Sequence, residues 1–566
     1  FLSFFAAWLA AGSLSVYLRL YPLREFTSAD SSEKAVMLVI NSVRAKIVES
    51  VTKNYPDAST EKKNRLIKEN IDRVLREQGN QMRSTIERVS REIEQDKPDS
   101  SRKTPYLLAS DSFYYYSLTE NILNTGKIAE KTKGSKYFNE LMLNPFGHWE
   151  PINLHPYAGF FVYKMVKFFR PDADLMFGVS FTPLFVTLCA LIPFLVLCWM
   201  LGCGALASFA GAMLFLNSNF ILKRTMFAWY DNDPHSLTFL FTLFVCLFGG
   251  LKHRKNLKLS ALWGLCSAAV ISLYALFWHG WVFFFGNIAV SGALCVLYSF
   301  FILKDGSAKN VFLFFLSIVL GTLAGITLVF GPGEFFVLFQ EGWKALTEFI
   351  TPGLSLWPDL YIGVGELNKP SLKYLIELSG GYWVFVGALA AIVIHFARFS
   401  KAKGGNPLWM ITMSVLLASS LLISLGALRF SFLLSIVLGA LFPITIQYVF
   451  KKINFNRRPA TVGLNILLAA VITWVSFSYA QRSVPGLLNK IFNPVWENAL
   501  VTIREKTPPE SVVNAWWPPG HFIKTIAKRR VTFDGATINN PQGYWMANVF
   551  IAPDERISAG LLRMLN

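Results

Sequence analysis

Three short stretches place carboxylates beside the ends of apolar segments, where a negative charge is costly without a task or a partner. Asp111 sits in Ala109-Ser110-Asp111-Ser112-Phe113-Tyr114-Tyr115-Tyr116, at the start of an amphipathic helical pattern. Asp231 and Asp233 form a DxD in Ala228-Trp229-Tyr230-Asp231-Asn232-Asp233-Pro234-His235, and Glu366 lies in Ile362-Gly363-Val364-Gly365-Glu366-Leu367. Carboxylate oxygens are the ligands that a hard divalent cation such as Mg²⁺ or Mn²⁺ prefers, and such a cation can neutralise a departing diphosphate. Two of the stretches also have an ordinary reading, Asp111 as a helix N-cap and the DxD as a turn. Their shared sidedness, argued below, favours the chemical one.

Two cations complete the pattern. Arg429, in Gly426-Ala427-Leu428-Arg429-Phe430, interrupts an apolar stretch, and a guanidinium fork suits a lipid diphosphate as well as it suits a structural carboxylate. Arg224 precedes Asp231 by seven residues and either supports the DxD loop by pairing with a carboxylate or faces phosphate.

The elements that must hold these side chains are membrane helices. The chain has 566 residues, 53% of them hydrophobic and only 16% charged, with a mean hydropathy of +0.40. That is too apolar for a soluble protein of this size. About eleven stretches reach the length of roughly 20 apolar residues that spans a bilayer: 1–20, 176–200, 203–221, 235–251, 258–279, 281–303, 310–331, 381–399, 407–427, 429–450 and 460–480. The formal net charge of +18 does not mark a nucleic-acid binder, because it is distributed along the membrane. Lys252, Arg254, Lys255 and Lys258, then Lys304 and Lys309, then Arg398, Lys401 and Lys403, and finally Lys451, Lys452, Arg457 and Arg458 fall in alternate turns. This is the positive-inside signature at every inner turn except the short one at 201–202, and it puts 21–175, 222–234, 332–380 and 481–566 together on the outer face. All the acidic stretches are there.

Residues 30–97 are charged and carry Ile71, Leu75, Met82, Ile86, Val89 and Ile93 at helical spacing, so a helical insertion is expected in the first outer loop, 21–175. A polar linker follows at 97–103, with Pro98 stopping the preceding helix. The 481–566 segment loses membrane character and reads as a small extracytoplasmic α/β domain after a transmembrane domain spanning 1–480. All six cysteines (Cys189, Cys198, Cys203, Cys246, Cys266, Cys295) lie in apolar stretches, as packing residues rather than a disulfide framework. The first span serves as a signal anchor, and a chain starting at Phe1 and stopping at Asn566 without an end signal is expected to be trimmed.

Taken together, these residues resemble the catalytic subunits of oligosaccharyltransferases, the single-subunit PglB/AglB-like family of GT-C membrane glycosyltransferases. Asp-Ser-Phe-Tyr-Tyr at 111–115 is similar to the family's first acidic motif, and 224–233 to its second, with the Arg-Thr start and the DxD. Gly147-His148-Trp149-Glu150-Pro151 with Leu154-His155-Pro156 resembles the run before the second span, and Val364-Gly365-Glu366 a variant of the SVxE or TIxE motif in the long outer loop 332–380. The resemblance implies a polytopic α-helical GT-C fold of about 11–13 transmembrane helices.

It also implies roles. Asp111, Asp231, Asp233 and Glu366 would gather Mn²⁺ or Mg²⁺ and the acceptor amide, while Arg429, with Arg224, would hold the diphosphate of a polyprenyl-linked oligosaccharide donor. The acceptor would be a protein or peptide, and the site would lie on the extracytoplasmic face of a prokaryotic plasma membrane. In the 507–521 stretch, Trp516-Trp517-Pro518 resembles the family's WWD signature but has Pro518 where the family's Asp receives the sequon hydroxyl. Proline has no side-chain donor or acceptor. Phe533-Asp534-Gly535 is also family-like, and Asp534 is a possible substitute acceptor. Pro518 keeps open a second reading, a GT-C enzyme using a lipid-linked sugar on Ser/Thr, a glycan or a lipid. A non-catalytic partner or transporter is a third, and the five charged positions together argue against it.

Overall fold

The computed structural model describes residues 2–27, scattered positions between 35 and 74, 79–95, 105–350, 357, 363–400, 406–453, 459–488, 491–537 and 540–565. Two compact units are distinguished, one of 1–22, 107–491 and 503–566, the other of 23–106 and 492–502.

The larger unit is built on long apolar helices. Among the described residues nine are long and apolar enough to cross a membrane, from Leu2–Arg19 to Val462–Leu487, or ten if one bent pair is a single span. All six cysteines are free thiols. Helix starts follow local chemistry. Asn256 and Asn406 cap two of them by accepting from the backbone N–H of Leu259 and Trp409, which satisfies donors that the first turn leaves unpaired. Lipid gives apolar side chains no reason to leave it, so these helices associate through close packing. At Gly211 a Cβ would stand 2.6 Å from Pro443 Cγ, so glycine lets Ala205–Leu216 lie against Ser431–Ile453.

Two of the expected stretches differ from simple spans. Within 203–221 the apolar helix is the 12-residue Ala205–Leu216, about 18 Å long, and after a turn at Asn217 and Ser218 a short second helix, Asn219–Arg224, begins. The 381–399 stretch belongs to a pair, Leu372–Leu378 and Tyr382–Ala397, bent by 90°. Gly380 and Gly381 lie between them at φ 114° and 87°, a region that other residues rarely enter, so the chain breaks there.

On the same unit, Thr132–Lys133, Lys136–Asn139 and His148–Pro151 form an antiparallel three-stranded sheet in that order. Val512–Val513 and Arg530–Val531 pair in parallel, and the chain closes with helices Gln542–Ile551 and Glu555–Leu565.

In the smaller unit, helix Gly79–Gln95 buries Met82 and half-buries Ile86 and Val89, with Arg83, Glu87 and Arg88 exposed. This is the amphipathic spacing read from sequence. Tyr106 donates to Glu497 Oε2 at 2.6 Å and packs edge-on against Phe492. Ile71, Leu75, the 97–103 linker, Ile362, Lys401, Lys403, Arg457 and Arg458 lie outside the described residues.

Candidate active site

Asp111 occupies the first turn of helix Ser110–Thr125, where the unpaired N–H groups favour a carboxylate. No side chain caps this helix, so Asp111 is not its N-cap. The residues before it are stitched to the DxD loop, with Leu108 N–H donating to the Ala228 carbonyl at 3.0 Å. Ala228 itself takes a left-handed φ of 69°, and its N–H donates to Ser180 O at 3.1 Å. Further along the helix, Thr119 Oγ1 meets Tyr230 Oη at 2.7 Å. Two stretches more than a hundred residues apart are thereby held side by side.

Within the DxD loop the two carboxylates differ. Asp231 Oδ1 accepts from the Asn232 backbone N–H at 2.6 Å, and Asn232 is anchored to Phe277 O at 2.9 Å. Asp233 is bonded to Arg224. The other arm of Arg224 reaches Glu366 Oε2 at 2.7 Å, so both guanidinium arms hold carboxylates. Glu366 sits in a single 3₁₀ turn, Gly365–Leu367. Two residues on, the Asn368 carbonyl accepts from Leu428 N–H at 3.0 Å, which brings this turn beside Arg429.

The charges feel one another. Burial and the Asp231 charge raise Asp111 to about 7 against the pull of Arg429 and Arg224, although 54% of its side chain is accessible at the mouth of the site. Burial also raises Asp231, while Arg224 above all holds Glu366 at about 2. Four carboxylates and two guanidiniums leave negative charge in excess, which a hard divalent cation would balance. The donor chemistry therefore fits such an ion, with Asp111 and Asp231 the two carboxylates that Arg224 does not hold. Among the described residues no three His, Cys, Asp or Glu side chains converge on one ion position.

The C-terminal segment completes the site. Ser110 Oγ donates to Pro518 O at 3.1 Å, so the variant Trp-Trp-Pro motif lies against the start of the Asp111 helix. Trp516 packs edge-on against Phe533 at 5.4 Å, and Trp516 and Trp517 border the small core of Phe533, Met546 and Leu565. Pro518 is exposed. Asp534 is fully buried and paired with Lys524, and so does not stand in for the missing carboxylate at 518. Burial pushes Asp534 up, but Lys524, His521 and the Ala536 N–H outweigh it and hold it at about 2.

Several contributors escaped the reading of the sequence. Arg19, inside the first span, donates to Thr225 Oγ1 at 2.7 Å and Leu216 O at 2.8 Å, while its carbonyl accepts from Phe227 N–H at 2.9 Å. It thereby supports the loop that carries Arg224. His155 and His235 meet at 2.9 Å through Nδ1 and Nε2, beneath Tyr230 and Tyr115. His521 lies 3.6 Å from Asp111. His155, His235 and His521 stand within the motifs named above without a role of their own, and Arg19 lies outside them.

Comparison with known proteins gives the family and the fold. A family model described as Oligosaccharyl transferase STT3, N-terminal, matches residues 99–461. Dolichyl-phosphooligosaccharide-protein glycotransferases are 23% identical, that of Methanocaldococcus jannaschii over 58% of this chain and 44% of its own, that of Methanococcus voltae over 81% and 61%. The chain thus spans about half the length of these relatives. Among solved structures, the oligosaccharyltransferase AglB of Archaeoglobus fulgidus, in complex with an inhibitory peptide and a dolichol-phosphate, superposes with a TM-score of 0.62 at 16% identity, covering 82% of this chain and 66% of that one. The same A. fulgidus protein in complex with Zn and sulfate gives 0.59 at 17% identity, over 83% and 64%. With a family match that takes in the acidic motifs at 111, 231–233 and 366 together with Arg429, the chain belongs to the STT3 family of oligosaccharyl transferases.

Proposed function

We propose that the chain is a divalent-metal-assisted oligosaccharyltransferase, moving a glycan from a polyprenyl-(di)phosphate carrier to protein, with asparagine side chains as the acceptor. The observation that carries this reading is the gathering of Asp111, Asp231, Asp233 and Glu366 with Arg224 and Arg429 from four distant stretches. The names of the relatives, and AglB's capture with peptide, dolichol-phosphate, and Zn with sulfate, support it.

In the reaction, the acceptor amide nitrogen attacks the anomeric carbon of the donor sugar. An N–C bond forms, the C–O bond to the diphosphate breaks, and one amide proton passes to a carboxylate of the cluster or to the departing diphosphate. Asp111 and Glu366 accept hydrogen bonds from the amide N–H groups, which weakens the nitrogen's conjugation with its carbonyl. Arg429 meets the charge that grows on the departing diphosphate. A bound Mn²⁺ or Mg²⁺, held by Asp111 and Asp231 with Glu366 or Asp233 released from Arg224, would add Lewis-acid neutralisation of that leaving group. Trp516 and Trp517 would face the acceptor peptide. The Lys/Arg-rich turns at the other span ends support a site on the extracytoplasmic face, and the relatives from Methanocaldococcus jannaschii and Methanococcus voltae support a prokaryotic plasma membrane.

Pro518 favours one second reading, a lipid-linked sugar transferred to Ser/Thr, a glycan or a lipid. Mass spectrometry of proteins from cells with and without this chain separates the two. Glycan on Asn that depends on the chain supports the first, and glycan only on Ser/Thr, or on no protein, sinks it.

A further inference from the structure

His521 is buried, 2% of its side chain accessible, and lies between two carboxylates: Nε2 is 3.6 Å from Asp111 Oδ1 and Nδ1 is 4.0 Å from Asp534 Oδ2. Its ring also faces Tyr114, with centroids 5.4 Å apart. Asp534 is itself fixed, paired with Lys524 and accepting from Ala536 N–H at 3.0 Å and Thr537 Oγ1 at 3.2 Å. Two glycines allow the approach. A Cβ at Gly520 would stand 2.5 Å from Asp534 Cβ, and one at Gly535 would stand 3.0 Å from His521 Nε2 and 3.7 Å from Asp111 Oδ1.

The segment carrying His521 is docked on the Asp111 helix by three further contacts. Ser110 Oγ donates to Pro518 O at 3.1 Å, Phe113 packs edge-on against Phe522 at 4.8 Å, and Thr525 Oγ1 donates to Phe113 O at 2.9 Å. This docking keeps the buried imidazole facing Asp111, and among the described residues Asp111 has a ring nitrogen beside it where Asp231 has a backbone N–H and Asp233 and Glu366 have a guanidinium.

We propose that His521 is a positioning residue for Asp111. Its Nε2 faces Oδ1 at 3.6 Å, just beyond hydrogen-bond length, and the tightening that accompanies substrate binding lets Nε2–H hold Oδ1, with Oδ2 left to the acceptor amide and the cation, so that the motif bordering the acceptor also sets the orientation of the reacting carboxylate. The inference rests on the transfer reading above. Loss of such an outer partner costs a metal-ligating carboxylate about 10–100-fold in metal affinity or activity.

The test compares His521→Gln, whose amide N–H has about the same reach as Nε2, with His521→Phe, which fills the space without a donor. Two readouts are taken on detergent-solubilised protein of the full chain: kcat and KM for peptide glycosylation from a lipid-linked oligosaccharide, and Mn²⁺ affinity by EPR titration without donor or peptide. The expected result is a His521→Phe kcat roughly 10–100-fold down with peptide KM unchanged and Mn²⁺ bound about tenfold more weakly, and a His521→Gln protein within about fivefold of wild type on both. Phe equal to or better than Gln in Mn²⁺ affinity overturns the inference, whatever transfer is seen. A wild-type protein that binds Mn²⁺ in the expected order of variants yet glycosylates no peptide overturns the transfer reading and leaves the positioning role supported.

Discussion

Arg224 Nη2 stands 2.7 Å from Glu366 Oε2, an ion pair across 142 residues of sequence, while the opposite arm of the same guanidinium holds Asp233. The Arg224 side chain is only 4% accessible, so removing it would strand Asp233 in a buried position and free the Glu366 turn. Arg224→Met is expected to lower the thermal unfolding midpoint and to cut transfer, and Arg224→Lys, which keeps charge but not two arms, to fall between. Equal midpoints for wild type and Arg224→Met would show that the clamp contributes nothing to the fold.

Metal dependence should reside in the acidic cluster. Asp111→Asn, Asp231→Asn and Glu366→Gln are each expected to cut turnover by roughly 100-fold or more while leaving a folded, detergent-stable protein. Chelator should abolish wild-type transfer, and added Mn²⁺ or Mg²⁺ should restore it. Full activity in excess chelator would contradict the assignment.

Arg429 is expected to serve the donor. Losing a guanidinium contact to a diphosphate costs about 1.5–3 kcal/mol, so Arg429→Ala should raise the KM for the lipid-linked oligosaccharide by about ten- to a hundredfold. Peptide affinity, measured by fluorescence anisotropy, should not move. A peptide defect without a donor defect would reverse the role.

Acceptor selection turns on Pro518, given that Asp534 is committed to Lys524. An acceptor hydroxyl that finds no partner costs roughly 1–3 kcal/mol, about one to two decades in kcat/KM. The Ser/Thr preference two residues after Asn should therefore be weak, and Pro518→Asp should strengthen it. Peptides with Ser, Thr, Ala or Val at that position measure both proteins. A strong Thr-over-Val preference that Pro518→Asp leaves unchanged would place the hydroxyl partner elsewhere.

Glu150, on the strand His148–Pro151, gives a pH signature. Burial raises its carboxyl from 4.5 to about 7, with Lys524 opposing. Between those values the unfolded chain has lost the proton that the folded chain keeps, so stability is full below pH 4.5 and falls as pH rises through about 7. The loss is at most about 3 kcal/mol. Glu150→Gln should raise the unfolding midpoint at pH 8 and leave it unchanged at pH 4.5, and an equal effect at both would assign it to packing.

Most of the membrane architecture is written locally. Apolar runs, capping Asn256 and Asn406, and basic turns announce spans wherever they occur, because the bilayer demands that each helix satisfy its own backbone. The acidic residues were visible because carboxylates are rare in the membrane part of the chain. The sequence also carried the substitution at Pro518. What tertiary structure alone decided was partnership. That Arg224 holds Asp233 and Glu366, that Asp534 turns inward to Lys524, and that His521 rather than a backbone cap faces Asp111 follow from which elements pack together, and side-chain pairing over hundreds of residues leaves no periodicity to read. Likewise, Gly380 and Gly381 stand at the start of the apolar stretch 381–399, and their positive φ of 114° and 87° shows that the chain bends there.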